Sequence, residues 1–181
     1  MPRMLTSLIH AVLPDLPGYE TGGGPVIPQA VILRTGPSGP EVLLVKRTTP
    51  RAWELPGGYM NRGEPPVNAM SREVREETGL IVRPDRLVGW YVRTGFRPHR
   101  SPVFACSPVS GTVRKSSEAV AIGFFPVDHL PLGLFPWYRE IIRDAVAGRS
   151  HPDRQEQHLG LGTVVTSAAI HLGALSGVLR P

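Results

Sequence analysis

One short run between a proline pair and a glycine constrains this chain more than any other feature. Pro65 and Pro66 stand where the first turn of a helix needs no backbone donor, and Gly79 stands where a left-handed cap ends one. Between them Val67, Met70 and Val74 recur at i, i+3 and i+7, so the spacing predicts a helix over 65–78 with one buried face. Glu73, Glu76 and Glu77 fall at i, i+3 and i+4, and their carboxylates therefore cluster. At about 100° per residue, Glu77 lies beside Met70 at the edge of the buried face, so the carboxylates point toward a partly covered cleft. Like charges so placed repel, at a few tenths of a kcal/mol for each i,i+4 contact. Arg72 and Arg75 offset part of that. A divalent cation offsets more, and hard oxygen ligands converging from one helix suit Mg²⁺ or Mn²⁺. The plainer alternative for the helix alone is a solvated acidic face.

The run belongs to a longer pattern, G-x5-E-x7-R-E-U-x-E-E-x-G-U with U bulky and apolar, filled by Gly58, Glu64, Arg72, Glu73, Val74, Glu76, Glu77, Gly79 and Leu80. At average residue frequencies the chance expectation is on the order of 10⁻⁷ for a chain this long. Around it, strand signals occupy 26–33 and 42–45, joined by the turn signal Gly36-Pro37-Ser38-Gly39-Pro40, and recur at 87–94, 102–108 and 119–125. A second helix is expected over 137–147, stopped by Gly148. Strands, helix, strands and helix make an α/β domain.

This pattern resembles the signature of the Nudix hydrolases, which residues 58–80 match completely. The preceding Trp53-Glu54-Leu55-Pro56-Gly57-Gly58 and the later Phe124-Phe125-Pro126-Val127 are similar to that family as well. The resemblance implies an α/β/α sandwich with a mixed sheet, and hydrolysis of a diphosphate linked to another group X. By motif match, Glu73, Glu76 and Glu77 hold the divalent metal, Mg²⁺ or Mn²⁺, with the backbone carbonyl of Gly57 or Gly58 joining them. Arg72 orients a glutamate of the cluster, and Glu64 anchors the loop through an ion pair with such an Arg. Gly57 and Gly58 let the backbone approach metal and phosphates closely. The base that takes the proton from the attacking water comes from the cluster, as Glu76 or Glu77, or from a later loop. Glu118 is the only acid between Arg86 and Val127 and is the later candidate; its alternative is a surface residue entering a strand.

Charge has a location. Residues 1–85 contain eight Arg, one Lys and nine acids, whereas 86–117 contain five Arg, one Lys and no acid. The whole +5 surplus thus lies in one stretch beside the acidic helix. Arg93, Arg97 and Arg100 are expected to grip phosphates or a carboxylate on X as planar forks, against the alternative of solvated loop cations. Trp90 is expected in the core rather than on a base. No helix-turn-helix, zinc or RNA-recognition signature accompanies the basic stretch, so a nucleic-acid partner is not expected.

Substrate signatures of the family point weakly. Motifs typical of its coenzyme A and NADH hydrolases are missing, and Pro98 lies farther past Leu80 than the proline typical of ADP-ribose hydrolases. The leading expectation is ADP-ribose or another nucleotide sugar, with release of a nucleoside monophosphate. A nucleoside triphosphate pyrophosphohydrolase and a non-catalytic nucleotide-binding regulator are the alternatives.

The resemblance covers the domain at 25–149. Residues 1–24 read as an amphipathic arm and linker, and 150–181 as an extension that is expected to be helical. Its residues 159–179 carry no formal charge but contain four Gly, so a packing or dimerising helix is expected rather than a membrane span. Leu161, Val165, Ala168, Leu172, Leu175 and Leu179 share its apolar face. A homodimer through the arm or this helix is one possibility. The lone Cys106 excludes an internal disulfide and reads as a small core residue. No secretory signal pattern opens the chain, and a cytoplasmic location is the expectation.

Overall fold

The computed structural model describes residues 24–175 except 96 and 97. The arm therefore lies outside the described residues, apart from Gly24, and so does Arg97.

β1 (Gln29–Gly36) and β2 (Gly39–Arg47) form the expected hairpin, antiparallel, with Gly36 opposite Gly39. β3 (Trp53–Glu54) pairs antiparallel with Val45 and Lys46 near the end of β2. β4 (Leu80–Gly95) and β5 (His99–Gly111) form a long antiparallel pair, and β5 runs parallel to β1. β6 (Ala119–Pro126) pairs antiparallel with β2. With β7 (His151–Leu159) parallel to β4, the sheet reads β3-β2-β1-β5-β4-β7 with β6 on β2, a mixed sheet.

Helices cover both faces. α1 (Pro66–Thr78) packs Met70 and Val74 against Ala30, Ile32 and Leu43. α2 (Trp137–Val146) packs Tyr138, Ile141 and Ile142 against Val31, Leu44 and Tyr91 on the other face. Alternation along β1 explains the split, since successive side chains leave opposite faces of a strand. Covering on both sides is also why 30–32 read as an unbroken apolar run. Burying a side chain such as Met70 or Val74 contributes about 1.5–3 kcal/mol. Cys106 joins the α1-side core, where burial pushes its thiol up to about 12.

Helix α1 begins as its sequence requires. Pro65 is extended and Pro66 takes the first turn. Gly79 ends it at φ +75°, donating its N–H to Arg75 O at 3.0 Å, and a Cβ there would stand 2.6 Å from Thr112 O.

Three expectations are corrected. β4 begins at Leu80 rather than 87, because irregular pairing at Ile81/Val82 and Pro84/Arg86 lets Pro84 ride in a strand that the sequence breaks up. The polar residues 151–159 form β7, not helix: backbone pairing to β4 recruits them without an apolar pattern. α3 (Leu161–Leu175) is helical as expected; it buries Ser167 and Ile170, and Val165 and Leu172 of its apolar face are exposed. Among the described residues, no helix is long and apolar enough to cross a membrane. Trp90, expected in the core, is half-buried on β4.

Candidate active site

The strand β2 ends at Arg47, and the next turn leads through β3 into Leu55-Pro56-Gly57-Gly58. This segment lies along the C-terminal half of α1. Gly57 takes φ +149°, and a Cβ on it would stand 2.3 Å from Pro28 O, so the backbone lies directly on the entry to β1. Its N–H donates to Glu77 Oε2 at 2.9 Å. A Cβ on Gly58 would stand 2.4 Å from the Glu73 carboxyl carbon. The two glycines thus bring backbone against two carboxylates of one helix.

Glu77 is 8% exposed. Arg47 Nη1 donates to its Oε1 at 3.0 Å. The same guanidinium reaches Glu118 Oε2 through Nη2 at 2.9 Å and Glu54 Oε1 from Nε at 3.4 Å. Burial pushes the Glu77 carboxyl up to about 7, against the Gly57 N–H that favours its charged form. Glu54 and Glu73 push it the same way as burial, and Arg47 opposes them.

Arg72 organises the other side. Its Nε and Nη2 grip both oxygens of Glu64, at 3.1 and 2.9 Å, as a planar fork. Nη1 donates to Glu73 Oε1 at 2.7 Å, and Nη2 also donates to Tyr59 O at 2.8 Å. Glu76 is exposed, with Oε2 3.5 Å from Arg72 Nη1. Asn61 N–H donates to Glu64 Oε2 at 2.9 Å, and the Arg72 hydrogen bond holds the Glu64 carboxyl below its ordinary range. Glu64, Arg72 and Glu73 therefore connect the loop before α1 to its middle turns.

Among the described residues, no group of three His, Cys, Asp or Glu side chains is arranged to hold a metal ion. Glu77 and Glu73 of the cluster are turned to Arg47 and Arg72. Their chemistry nevertheless fits a hard divalent cation. Glu73, Glu76 and Glu77 supply carboxylate oxygens, Gly58 has no Cβ to separate its backbone from Glu73, and the repulsion felt by Glu77 is what a cation relieves.

Among the described residues of the basic stretch, Arg93 and Arg86 are committed within the fold. Arg93 is 1% exposed, its guanidinium carbon 5.0 Å from the Tyr138 ring centroid and 5.4 Å from that of Trp137. Its Nε donates to Gln157 Oε1 at 3.2 Å, and Nη1 contacts His99 Nε2. Strand alternation turns it into the interface with α2, away from α1, so it is not an open cation for a phosphate. Arg86 contacts the carbonyls of Ala145 and Arg149 at the end of α2, where a cation complements the helix dipole. Arg100 is half-buried on β5, its backbone paired with Pro25 and Ile27.

Arg47 and Glu54 belong to the site, and the sequence reading missed them. The available signal was the polar pair Lys46-Arg47 directly after the apolar run of β2, beside the Gly-Gly loop. Glu118 is brought to the site by its contact with Arg47 and is otherwise exposed.

A two-faced sandwich that aims a glutamate cluster at a glycine loop is the arrangement that the resemblance to the Nudix hydrolases implied. The sequence model of the NUDIX domain matches residues 26–145, and the chain belongs to the Nudix hydrolase family. Its members hydrolyse diphosphate linkages in small nucleotide compounds and generally use divalent metal ions. The chain is 36% identical over 115 residues to a MutT-like protein of Streptomyces ambofaciens, covering 61% of this chain and 74% of that one. It is 32% identical over 114 residues to an ADP-ribose pyrophosphatase of Methanocaldococcus jannaschii, covering 58% and 64%. The crystal structure of an ADP-ribose pyrophosphatase from Streptococcus suis superposes with a TM-score of 0.58 at 27% identity, covering 74% of this chain and 98% of that one.

Proposed function

We propose that this Nudix hydrolase cleaves the diphosphate of a nucleoside diphosphate linked to X, with ADP-ribose or another nucleotide sugar as the leading substrate, and releases a nucleoside monophosphate. The observation that carries this reading is the complete carboxylate set gathered between Arg47 and Arg72. The similarity to two ADP-ribose pyrophosphatases supports the substrate class.

In this reading Glu73, Glu76 and Glu77, with the Gly58 carbonyl, hold Mg²⁺ or Mn²⁺. When bound, the metal neutralises the diphosphate, lowers the pKa of a bound water and supports the leaving phosphate. Arg72 keeps Glu73 in place through its bond to Oε1, while Glu64 holds Arg72. The Gly57 N–H fixes Glu77 through Oε2. A carboxylate takes the proton from the attacking water: Glu76 and Glu77 on α1, and Glu118 across Arg47, are the candidates. Arg47 is well placed to exchange a carboxylate partner for a substrate phosphate, since a guanidinium binds both as a fork.

The test is a panel of nucleotide sugars and nucleoside triphosphates, with Mg²⁺, with Mn²⁺ and with chelator, beside Glu77→Gln. Metal-dependent release of AMP from ADP-ribose is the expected result. Preferred turnover of a triphosphate would move the assignment to a pyrophosphohydrolase of nucleoside triphosphates. Absence of turnover across the panel would leave a nucleotide-binding regulator.

A further inference from the structure

The helix α3 lies beyond residues 26–145, yet it reaches the segment that carries the site. Its His171 Nδ1 accepts the N–H of Arg51 at 2.9 Å. Arg51 lies in the turn between β2 and β3. Arg47, the last residue of β2, and Glu54, in β3, both belong to the carboxylate–guanidinium cluster. The turn is closed by Arg47 N–H to Ala52 O at 3.1 Å and Ala52 N–H to Pro50 O at 2.8 Å. Thr48 N–H donates to Glu118 O at 3.0 Å, so the same turn also holds the backbone of the third Arg47 partner.

A second contact from α3 is apolar. Ile170 is 7% exposed and joins the core cluster that contains Ala52, Trp53 and Leu55. A Cβ on Gly133 would stand 3.5 Å from Trp53 and 3.9 Å from Ile170, so this glycine marks how closely the three approach. Neighbouring residues of one helix therefore clamp the turn: Ile170 by packing at Trp53, His171 by accepting from Arg51. The His171 bond is directional, and it supplies the acceptor for a half-buried backbone donor that would otherwise have to find one elsewhere.

We propose that His171 is a positioning residue of the active site, fixing through the Arg51 amide the turn that spaces Arg47 and Glu54 around Glu77. It touches no reacting group itself. An error of about 1 Å in placing catalytic groups costs as much as a hundredfold in rate, so a loosened turn lowers kcat. The proposal rests on the hydrolase reading, and its test has an arm that does not depend on turnover.

The experiment uses the full chain with Mg²⁺ and the best-turned-over compound of the panel. His171→Leu retains bulk and removes the acceptor. His171→Asn offers Oδ1 in place of Nδ1. The Leu variant is expected to lower kcat about tenfold with KM within twofold. It is also expected to speed amide hydrogen exchange in the turn at 47–54, and the Asn variant to restore both. Wild-type kcat and exchange in the Leu variant would overturn the proposal. So would an Asn variant that is folded but as impaired as Leu. Should the Leu variant fail to fold, the Asn variant decides alone: wild-type kcat and exchange support the proposal, and loss of either overturns it. Should wild type turn over nothing, the hydrolase reading fails on its own, while the exchange arm still decides whether His171 fixes the turn.

Discussion

Arg47 Nη1 lies 3.0 Å from Glu77 Oε1 and joins the end of a central strand to the helix that carries the glutamate cluster. One guanidinium thereby balances a carboxylate that is 8% exposed, while contacting Glu54 and Glu118 at the rim. Under the proposed function the pair couples the sheet to the chemistry, so a change on either side is expected to be felt in both stability and turnover.

Removing Arg47 leaves Glu77 with a backbone donor but no cation. Arg47→Met is expected to cost about 1–3 kcal/mol in stability, the penalty of stranding a buried polar group. Turnover is expected to fall at least tenfold. Urea unfolding and steady-state kinetics with Mg²⁺ check both.

Glu77 gives the metal-free protein a pH dependence of defined sign. Its folded-state pKa is about 7 against an ordinary 4.5, so between those values the folded chain binds more protons than the unfolded one. Stability therefore falls as pH rises from about 4.5 to 7 and stays reduced above, by a total of about 3 kcal/mol. In chelator, Tm is expected to drop across that window, and Glu77→Gln is expected to flatten the drop. The same variant is expected to lose turnover by about a hundredfold or more. A metal that holds the charged form of Glu77 would reverse the trend and release protons on binding.

The adjacent glycines separate two kinds of cost. Gly57→Ala drives a Cβ to 2.3 Å from the Pro28 carbonyl oxygen at a φ of +149°, and backbone cannot yield cheaply. It is expected to cost about 1–3 kcal/mol in stability. Gly58→Ala meets the movable Glu73 carboxyl, so stability is expected to change by under about 1 kcal/mol while turnover falls. Thermal melts beside initial rates distinguish the two.

Arg72 tests whether geometry or charge matters. Lys keeps the charge but cannot span Glu64, Glu73 and the Tyr59 carbonyl at once. Arg72→Lys is expected to lower kcat/KM about tenfold and to raise the Mg²⁺ concentration needed for half-activity. A metal titration of activity measures it.

How much of the fold and site was legible in the sequence depended on distance along the chain. α1 was readable to within a residue, because Pro66, the apolar spacing and Gly79 each act within a turn of one another. The pairing of Arg72 with Glu64 and with a glutamate of the cluster was implied by the resemblance, and the fold makes that glutamate Glu73. β7 was not, since its pairing with β4 uses backbone groups that any polar sequence supplies. That α3 buries Ile170 was not legible either, because the core it joins, with Ala52, Trp53 and Leu55, is assembled from distant segments.

The sequence by itself determined the class of protein, the acidic helix and the glycine loop that faces it. These are local choices of conformation and charge, and few alternatives satisfy them. Only the tertiary structure brought a second cation, Arg47, to the cluster beside Arg72. The surplus at 86–117 pointed to Arg93, Arg97 and Arg100 as the grip on phosphates, but strand alternation buries Arg93 against Tyr138 and Trp137. Arg86 is committed to the end of α2. Arg47, from the charge-balanced part of the chain, faces Glu77 instead, because β2 ends beside α1. Net charge is a sum over a sequence, whereas a site is a meeting of side chains, and only the fold determines which ones meet.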